Sequence, residues 1–146
     1  IPALLSEKGI RTTSEMGKIT FPELRDMTII IAEDDPLSLK LIKKMLSRTG
    51  VRMIEAANGK EAIDLLNNNP DAILMDLNMP IMDGYTATRI TKSKRPDIPV
   101  IAITAYALSE DRNKAMEAGC DGIISKPVDQ QVLFNELRKY LLSGTA

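Results

Sequence analysis

Four short apolar runs of the chain end in side chains that carry a charge or a hydroxyl group. The acids are Glu33, Asp34, Asp35 and Asp76, the hydroxyl is that of Thr104 and the ammonium is that of Lys126. Carboxylates that cluster repel one another unless a cation neutralises them, and oxygen ligands without histidine or cysteine favour a hard ion such as Mg²⁺. Because magnesium keeps water or phosphoryl oxygens among its ligands, these residue types point to phosphate chemistry with a carboxylate as nucleophile.

The elements that must position these groups are strands of a parallel sheet. Five apolar runs alternate with amphipathic stretches, as in repeated strand and helix units. The runs are Thr28–Ala32, Arg52–Ala56, Ala72–Met75, Val100–Ile103 and Gly122–Ser125. Five such units predict an open, doubly wound α/β sheet, because an eight-unit barrel needs a much longer chain. Parallel strands end at one edge, where ligands bind, so we expect the polar groups to meet there.

Amphipathic periods and capping residues predict five helices. In the first, Leu37 to Leu46, we expect Leu37, Leu41, Ile42, Met45 and Leu46 to face the core. Asp35 before Pro36 is typical of a helix N-cap, and Asn58 with Glu61 resembles a capping box. The later helices are predicted over Tyr85 to Thr91, Ser109 to Ala118 and Gln130 to Leu142.

Composition excludes several classes of function. The chain has 146 residues with 19 basic and 20 acidic side chains, so no general basic field attracts nucleic acid or an anionic membrane. Cys120 is the single cysteine and there is no histidine, which excludes a disulfide framework, histidine triads and phosphohistidine on this chain itself. No apolar run is long enough to span a bilayer, and we expect a cytoplasmic protein.

Residues 1–27 show no sustained period and mix proline, glycine, serine and threonine. We interpret them as a linker or N-terminal extension, and residues 28–146 as the folded domain. Since the chain begins with Ile1 and ends directly after the last predicted helix, we expect it to derive from something longer and to pass its output to another protein.

Four segments together resemble the receiver domain of two-component response regulators. They are Ile31–Asp35, the loop Asp76–Gly84, Thr104–Ala105 and Lys126–Pro127, in this order and each at the end of a predicted strand. The resemblance covers about residues 27 to 142. It implies a five-stranded, flavodoxin-like (βα)5 fold with strand order 2-1-3-4-5.

The resemblance also implies a role for each matched residue. Asp76 would be the phosphorylated nucleophile, and Asp34 a direct ligand of Mg²⁺, for which Mn²⁺ can substitute. Glu33 would act through metal-bound water, and Asn78 would offer its backbone carbonyl to the metal. Thr104 and Lys126 would contact the phosphoryl group, and the peptide bond between Lys126 and Pro127 is often cis in this family. The phosphoryl donor would be a histidine kinase or a histidine phosphotransfer protein.

Simpler readings of the same residues stay open at this point. Glu33 can be a solvated loop acid, Asn78 and Gly84 can serve the turn alone, and Thr104 can be an ordinary strand residue. Lys126 can be an exposed lysine. Asp35 is explained by its capping position, and Cys120 by burial as a small side chain.

One position departs from the family pattern. Receivers commonly carry an aromatic residue three positions before the lysine, and here that residue is Ile123. We therefore expect the signal to leave through the loop after Thr104, beginning at Ala105, or through the fourth helix. A face of the fourth helix, fifth strand and fifth helix is the predicted partner or homodimer surface. Tyr106 either shields the acyl phosphate from water or points away from the site.

Three classes of function follow from these observations. The first is a phosphorylation-dependent switch, free-standing or as the C-terminal receiver of a hybrid histidine kinase. By its resemblance to receivers, such a switch would not be a stand-alone enzyme, although it would catalyse its own Mg-dependent phosphorylation and dephosphorylation. The second class is an aspartyl-phosphate hydrolase, and the third is an interaction module that no longer takes phosphate.

Overall fold

Strands and helices alternate along the chain in the computed structural model, which describes residues 22–79, 81–105 and 109–142. The strands are β1 (Thr28–Ala32), β2 (Arg52–Ala56), β3 (Ala72–Asp76), β4 (Val100–Thr104) and β5 (Gly122–Ser125). The helices are α1 (Pro36–Ser47), α2 (Gly59–Asp64), α3 (Gly84–Lys94), α4 (Ser109–Ala118) and α5 (Gln130–Leu137). A 3₁₀ turn, Leu65–Asn68, extends α2, and a π-helical turn, Arg138–Leu142, extends α5. The predicted strands and helices are confirmed, except that the last helix changes its winding after Leu137.

The five strands form one parallel sheet in the order β2-β1-β3-β4-β5. This confirms the doubly wound sheet that the sequence pattern predicts and the flavodoxin-like strand order 2-1-3-4-5 that the family resemblance implies. Asp76 is in register with Ile103 on β4, and Thr104 is in register with Ser125 on β5. The carboxyl ends of β3, β4 and β5 therefore lie side by side.

Both faces of the sheet are covered by helices. Alternate strand residues such as Ile30, Ile73 and Val100 pack with Ala62, Leu66, Ala87 and Ala115, below α2, α3 and α4. The other strand residues, including Ile29, Leu74 and Ile101, pack with Ile42, Leu46, Leu133 and Leu137, below α1 and α5. We call these the α2–α4 cluster and the α1–α5 cluster. Strands buried on both faces explain why each run is apolar throughout.

Side-chain caps fix the starts of the helices next to the sheet edge. Asp35 Oδ2 accepts from the Ser38 backbone N–H at 3.0 Å, which confirms the predicted N-cap of α1. Asn58 Oδ1 accepts from the Glu61 N–H at 2.9 Å, and Glu61 Oε1 accepts from the Ala57 N–H at 2.8 Å. The capping residues therefore determine where each loop at the carboxyl edge of the sheet ends and its helix begins.

The predicted inner face of α1 is wrong at two positions. Leu37 is 66% exposed and Leu41 is 49% exposed. The buried stripe consists of Ile42 and Leu46, with Leu39 partly buried beside them. Leu37 and Leu41 lie one turn apart on a neighbouring stripe of the helix. This stripe faces away from the sheet, so the sheet does not cover it.

The folded domain begins before residue 28. Leu24 is buried in the α1–α5 cluster, and its backbone N–H donates to the Thr49 carbonyl at 2.8 Å. The sequence pattern places residues 22–27 in the extension, because two apolar residues, Leu24 and Met27, without a period give no structural signal. Residues 1–21 of that extension lie outside the described residues. Within the described ranges, no helix combines the length and apolarity needed to cross a membrane.

Candidate functional site

The carboxyl ends of β1 and β3 bring three acids together. Asp76 is the last residue of β3 and is buried, and Glu33 directly follows β1 and is also buried, whereas Asp34 is exposed. One carboxylate oxygen from each of the three lies within 4.8 Å of the other two. Strands β1 and β3 are neighbours in the sheet, and their pairing brings together acids that are more than forty positions apart in the sequence, as predicted.

Lys126 reaches this group of acids from the end of β5. Its Nζ lies 3.1 Å from Glu33 Oε1 and 3.4 Å from Asp76 Oδ2. The Lys126 backbone N–H donates to the Thr104 carbonyl at 2.8 Å, which ties the turn after β5 to the end of β4. The peptide bond from Lys126 to Pro127 is cis, as the family resemblance implies. The alternative that Lys126 is merely an exposed lysine is therefore wrong, because its ammonium is paired with two buried acids.

Backbone donors orient the two buried carboxylates. The Asn78 N–H donates to Asp76 Oδ1 at 3.1 Å, and the Asp35 N–H donates to Glu33 Oε2 at 3.1 Å. The Asn78 side chain itself is exposed, so the residue serves the site through its backbone. Each carboxylate is thus held by one backbone N–H on one oxygen and by the Lys126 ammonium on the other.

The electrostatics of the site follow from two buried acids, Glu33 and Asp76, that share the single ammonium of Lys126. Burial and, after it, the neighbouring Asp76 together raise the pKa of Glu33 from 4.5 to about 7, although the Asp35 N–H and Lys126 act to lower it. Burial alone would lower the pKa of Lys126. The close contact with Glu33 and the negative charges of Asp76 and Glu33 outweigh that effect and raise it. Lys126 therefore stays charged while Glu33 is close to its titration point at neutral pH.

The donor set suits a hard divalent cation. Glu33, Asp34 and Asp76 offer oxygen ligands alone, which is the set that Mg²⁺ prefers. Glu33 Oε1 is buried and receives no well-directed hydrogen bond, although Lys126 Nζ is within ion-pair distance. The exposed Asp34 leaves one side of the group open to solvent, as a magnesium site with retained water ligands requires.

The remaining residues predicted for the site lie at or beyond the end of β4. Thr104 is buried at the last position of β4, and Ala105 follows it and is exposed. Ile123 is half-buried on β5, in register with Ala102, and packs against the α2–α4 cluster. Tyr106, the proposed shield of the acyl phosphate, lies outside the described residues.

Gly84 has a role that the sequence analysis gave only to turn chemistry. A Cβ atom at this position would lie 2.3 Å from the Asp76 carbonyl oxygen and 2.7 Å from the Leu77 Cα. The Gly84 N–H donates to the Leu77 carbonyl at 3.2 Å, so the first residue of α3 is in backbone contact with the end of β3. Glycine is needed here for close approach, a requirement that the sequence signals only by placing glycine eight positions after Asp76.

Comparison with known proteins shows the family of this chain. A family model described as the response regulator receiver domain matches residues 29–138. The chain is 35% identical over 117 residues to the polar-differentiation response regulator DivK of Brucella anthropi, covering 78% of this chain and 95% of DivK. The chain belongs to the response regulator receiver family, and so to two-component signalling.

Receivers within longer histidine kinases are similar to the chain as well. It is 37% identical over 116 residues to the sensor histidine kinase RcsC of Escherichia coli, covering 79% of this chain but only 12% of that kinase. The receiver domain of a sensor histidine kinase from Pseudomonas aeruginosa superposes with a TM-score of 0.72 at 34% identity, covering 78% of this chain and 96% of that domain. That domain has a magnesium ion coordinated in its active-site cleft, and receiver domains generally bind magnesium.

The raised pKa of Glu33 predicts a pH-dependent cost to stability when divalent cations are absent. Between pH 4.5 and about 7 the folded state keeps a proton that the unfolded state releases, so the contribution of Glu33 to the free energy of unfolding falls as the pH rises. Glu33→Gln removes this loss. In urea unfolding with a chelator present, we expect the variant to gain about 3 kcal/mol on the parent between pH 4.5 and pH 8.

The exposed Glu117 on α4 provides the control, since Glu117→Gln makes the same chemical change away from the acids. Its difference from the parent should vary little with pH. A Glu33→Gln difference that is equally flat would contradict the buried, proton-retaining carboxyl.

Proposed function

We propose that this chain is a phosphorylation-dependent signalling switch in which Asp76 accepts a phosphoryl group from a phosphohistidine of a partner protein. The observation that carries the proposal is the position of the Asp76 carboxylate. It is buried at the end of β3, with Lys126 Nζ 3.4 Å from one oxygen and the Asn78 N–H 3.1 Å from the other. A carboxylate held in this way is fixed for attack and surrounded by groups that stabilise phosphoryl charge.

The transfer forms one bond and breaks one. An Asp76 carboxylate oxygen attacks the phosphorus atom, and the bond from phosphorus to the donor nitrogen breaks. The nitrogen leaves with the electron pair and takes a proton from solvent, which restores a neutral imidazole. With acetyl phosphate as donor, the oxygen of the leaving acetate takes the pair, and no proton is needed. Both reactions conserve the phosphoryl group as an aspartyl phosphate.

The neighbouring residues have separate tasks in this reaction. The Lys126 ammonium pairs with Asp76 before transfer and with a phosphoryl oxygen afterwards, and the Thr104 hydroxyl donates to another phosphoryl oxygen. Glu33, Asp34, Asp76 and the Asn78 carbonyl would hold Mg²⁺, or Mn²⁺ in its place. When bound, the cation neutralises charge on the acids and the phosphoryl oxygens.

The competing classes of function receive less support from the site. An interaction module that takes no phosphate would have no need for Asp76, Thr104 and Lys126 together at one sheet edge. A hydrolase acting on other aspartyl phosphates would place the same acids toward a bound substrate, whereas here Asp76 itself is the paired carboxylate. Similarity to both DivK and RcsC is compatible with a free-standing regulator and with a receiver inside a hybrid kinase.

An exposed apolar surface beside the site offers a place for the phosphohistidine protein. Leu37 and Leu41 of α1 lie next to a cleft of about 90 Å³, lined by Leu41, Ile42, Lys126, Pro127 and Val128 together with Ser38. We call Leu37, Leu41 and this cleft the α1 patch. Because the patch contains Lys126, a protein that brings a phosphohistidine to Asp76 must cover part of it. Exposed apolar surface of this kind marks interaction sites.

Two further features complete the proposed function. Met116 on α4 and Val132 on α5 are exposed apolar residues, which supports a homodimer or output contact through α4, β5 and α5. The single Cys120 is free and buried, which suits a reducing compartment, and we place the domain in the cytoplasm.

Phosphorylation of Asp76 is tested directly with acetyl phosphate and Mg²⁺, followed by intact mass measurement. We expect one phosphoryl adduct that is stable in acid and labile in base, and that does not form when the metal is chelated. Asp76→Asn should form none, because an amide does not act as the nucleophile.

Asp83→Asn is the matched control. Asp83 lies in the same loop and caps α3 through the Thr86 N–H at 2.9 Å, a bond that asparagine can also accept. This variant should be phosphorylated like the parent. A full adduct on Asp76→Asn would show that the nucleophile lies elsewhere, and a parent that takes up no phosphate would favour the interaction module.

The α1 patch predicts a difference between protein and small-molecule donors. In Leu41→Asp, transfer from a phosphorylated histidine kinase fragment that serves the parent should slow at least tenfold, about 1.4 kcal/mol, because a charge replaces an apolar contact. The rate with acetyl phosphate should stay within about twofold, since Asp76 and Lys126 are unchanged.

Met116→Asp introduces the same charge on an exposed position of α4, away from the patch. It should leave both rates near those of the parent. Equal slowing with both donors in Leu41→Asp would place the effect on the site itself and remove the argument for docking at the patch.

A further inference from the structure

Helix α4 is held to the domain by few apolar side chains. Among its described side chains only Ala115 and Ala118 are buried, and Met116 is 57% exposed. Alanines contribute little apolar area, so a neighbouring side chain must fill the space between α4 and the rest of the α2–α4 cluster.

Tyr85 of α3 is a side chain that contacts α4. Lys114 Nζ lies 5.2 Å from the centroid of the Tyr85 ring, a distance at which a cation and an aromatic face attract each other. The ring is partly buried against the α2–α4 cluster, to which Ala115 belongs. Lys114 and Ala115 lie one turn beyond Asp111 and one turn before Ala118, and this face of α4 is directed toward α3.

The electrostatics of Tyr85 agree with this placement. Burial raises the pKa of the Tyr85 hydroxyl, and the charges of Asp111, Cys120 and Asp83 raise it further. Asp111 lies in the first turn of α4, and Cys120 follows its last turn. The burial that raises this pKa agrees with a ring packed between α3 and α4.

Tyr85 directly follows Gly84, which contacts the backbone of Asp76 and Leu77 at the end of β3. Gly84 is so close to the end of β3 that a Cβ atom there would lie 2.3 Å from the Asp76 carbonyl oxygen. There is therefore no free space at Gly84 that could absorb a shift of the Asp76–Leu77 backbone. The start of α3 must move with the loop, and the Tyr85 ring moves against α4.

This connection matters in a chain with Ile123 on β5. Ile123 packs against the α2–α4 cluster, and Tyr85 is the aromatic side chain that the described residues contribute to that cluster. A ring at position 85 can thus couple the sheet edge to α4 from the α3 side.

We propose that Tyr85 is a positioning residue that transmits the phosphorylation state of the Asp76 loop to α4. The inference rests on the proposed function, because it requires a phosphoryl group on Asp76. A change in the loop acts through the Gly84 contact on the ring of Tyr85, and the ring alters the packing of Lys114 and Ala115.

Hydrogen exchange of the α4 peptide, measured by mass spectrometry before and after phosphorylation with acetyl phosphate, tests the coupling. In the parent, phosphorylation should change α4 exchange rates at least about fivefold, the lower end of ordinary coupling between sites. Tyr85→Phe keeps the ring and should keep this response. Tyr85→Leu keeps apolar volume without the ring, and its α4 response should fall below about twofold while Asp76 is still phosphorylated.

Ile63→Ala controls for general loosening, since Ile63 packs against the same cluster from α2. It should retain the α4 response. A full response in Tyr85→Leu, or an equal loss in Ile63→Ala, would overturn the role of Tyr85. A phosphorylated parent with unchanged α4 exchange would overturn this inference alone, whereas a parent that takes up no phosphoryl group would overturn the proposed function and this inference with it.

Discussion

The burial of two carboxylates against a single ammonium is the interaction on which the rest of the structure depends. Glu33 and Asp76 share Lys126 at distances of 3.1 and 3.4 Å, with Asp34 at the solvent side. Buried acids in excess of their cation are costly, and the molecule relieves this cost by holding a proton on Glu33 near neutral pH. A divalent cation relieves it in another way, since it replaces the proton with two positive charges. The same excess of negative charge therefore accounts both for the expected affinity for a metal ion and for the raised pKa of Glu33.

The surfaces that other proteins meet are built outward from this group of charges. Helix α1 starts at the residue after the Asp35 cap, whose N–H also holds Glu33. The turn that carries Lys126 continues into the cleft beside Leu41. Gly84 places α3 against the end of β3, and Tyr85 carries that contact to α4. Docking, chemistry and output are thus linked because each begins at a residue that contacts, or follows within two positions, a charged member of the site.

The parts of this arrangement that could be predicted from the sequence are those that depend on local signals. Strand ends, the Asp35 and Asn58 caps and the meeting of acids at one edge follow from apolar runs, residue types and the geometry of parallel sheets. Leu41 was misassigned because a helical period shows that a stripe is apolar without showing which stripe the sheet covers. The contact of Tyr85 with α4 is tertiary, and nothing local distinguishes this tyrosine from another half-buried one. Gly84 was recognised as glycine for a turn, whereas its close approach to Asp76 depends on two elements packing together.

Calorimetric titration of the chain with Mg²⁺, at several pH values and in two buffers of different ionisation heat, is the most direct test of the shared charge cluster. Binding should release about half a proton near pH 7, where Glu33 is partly protonated, and should tighten between pH 6 and pH 8. Asp34→Asn should weaken binding at least about tenfold, whereas Asp83→Asn, with the same change in net charge, should bind like the parent. Equal affinity in Asp34→Asn, or binding of the parent that is independent of pH and releases no proton, would contradict a cation site built on these acids.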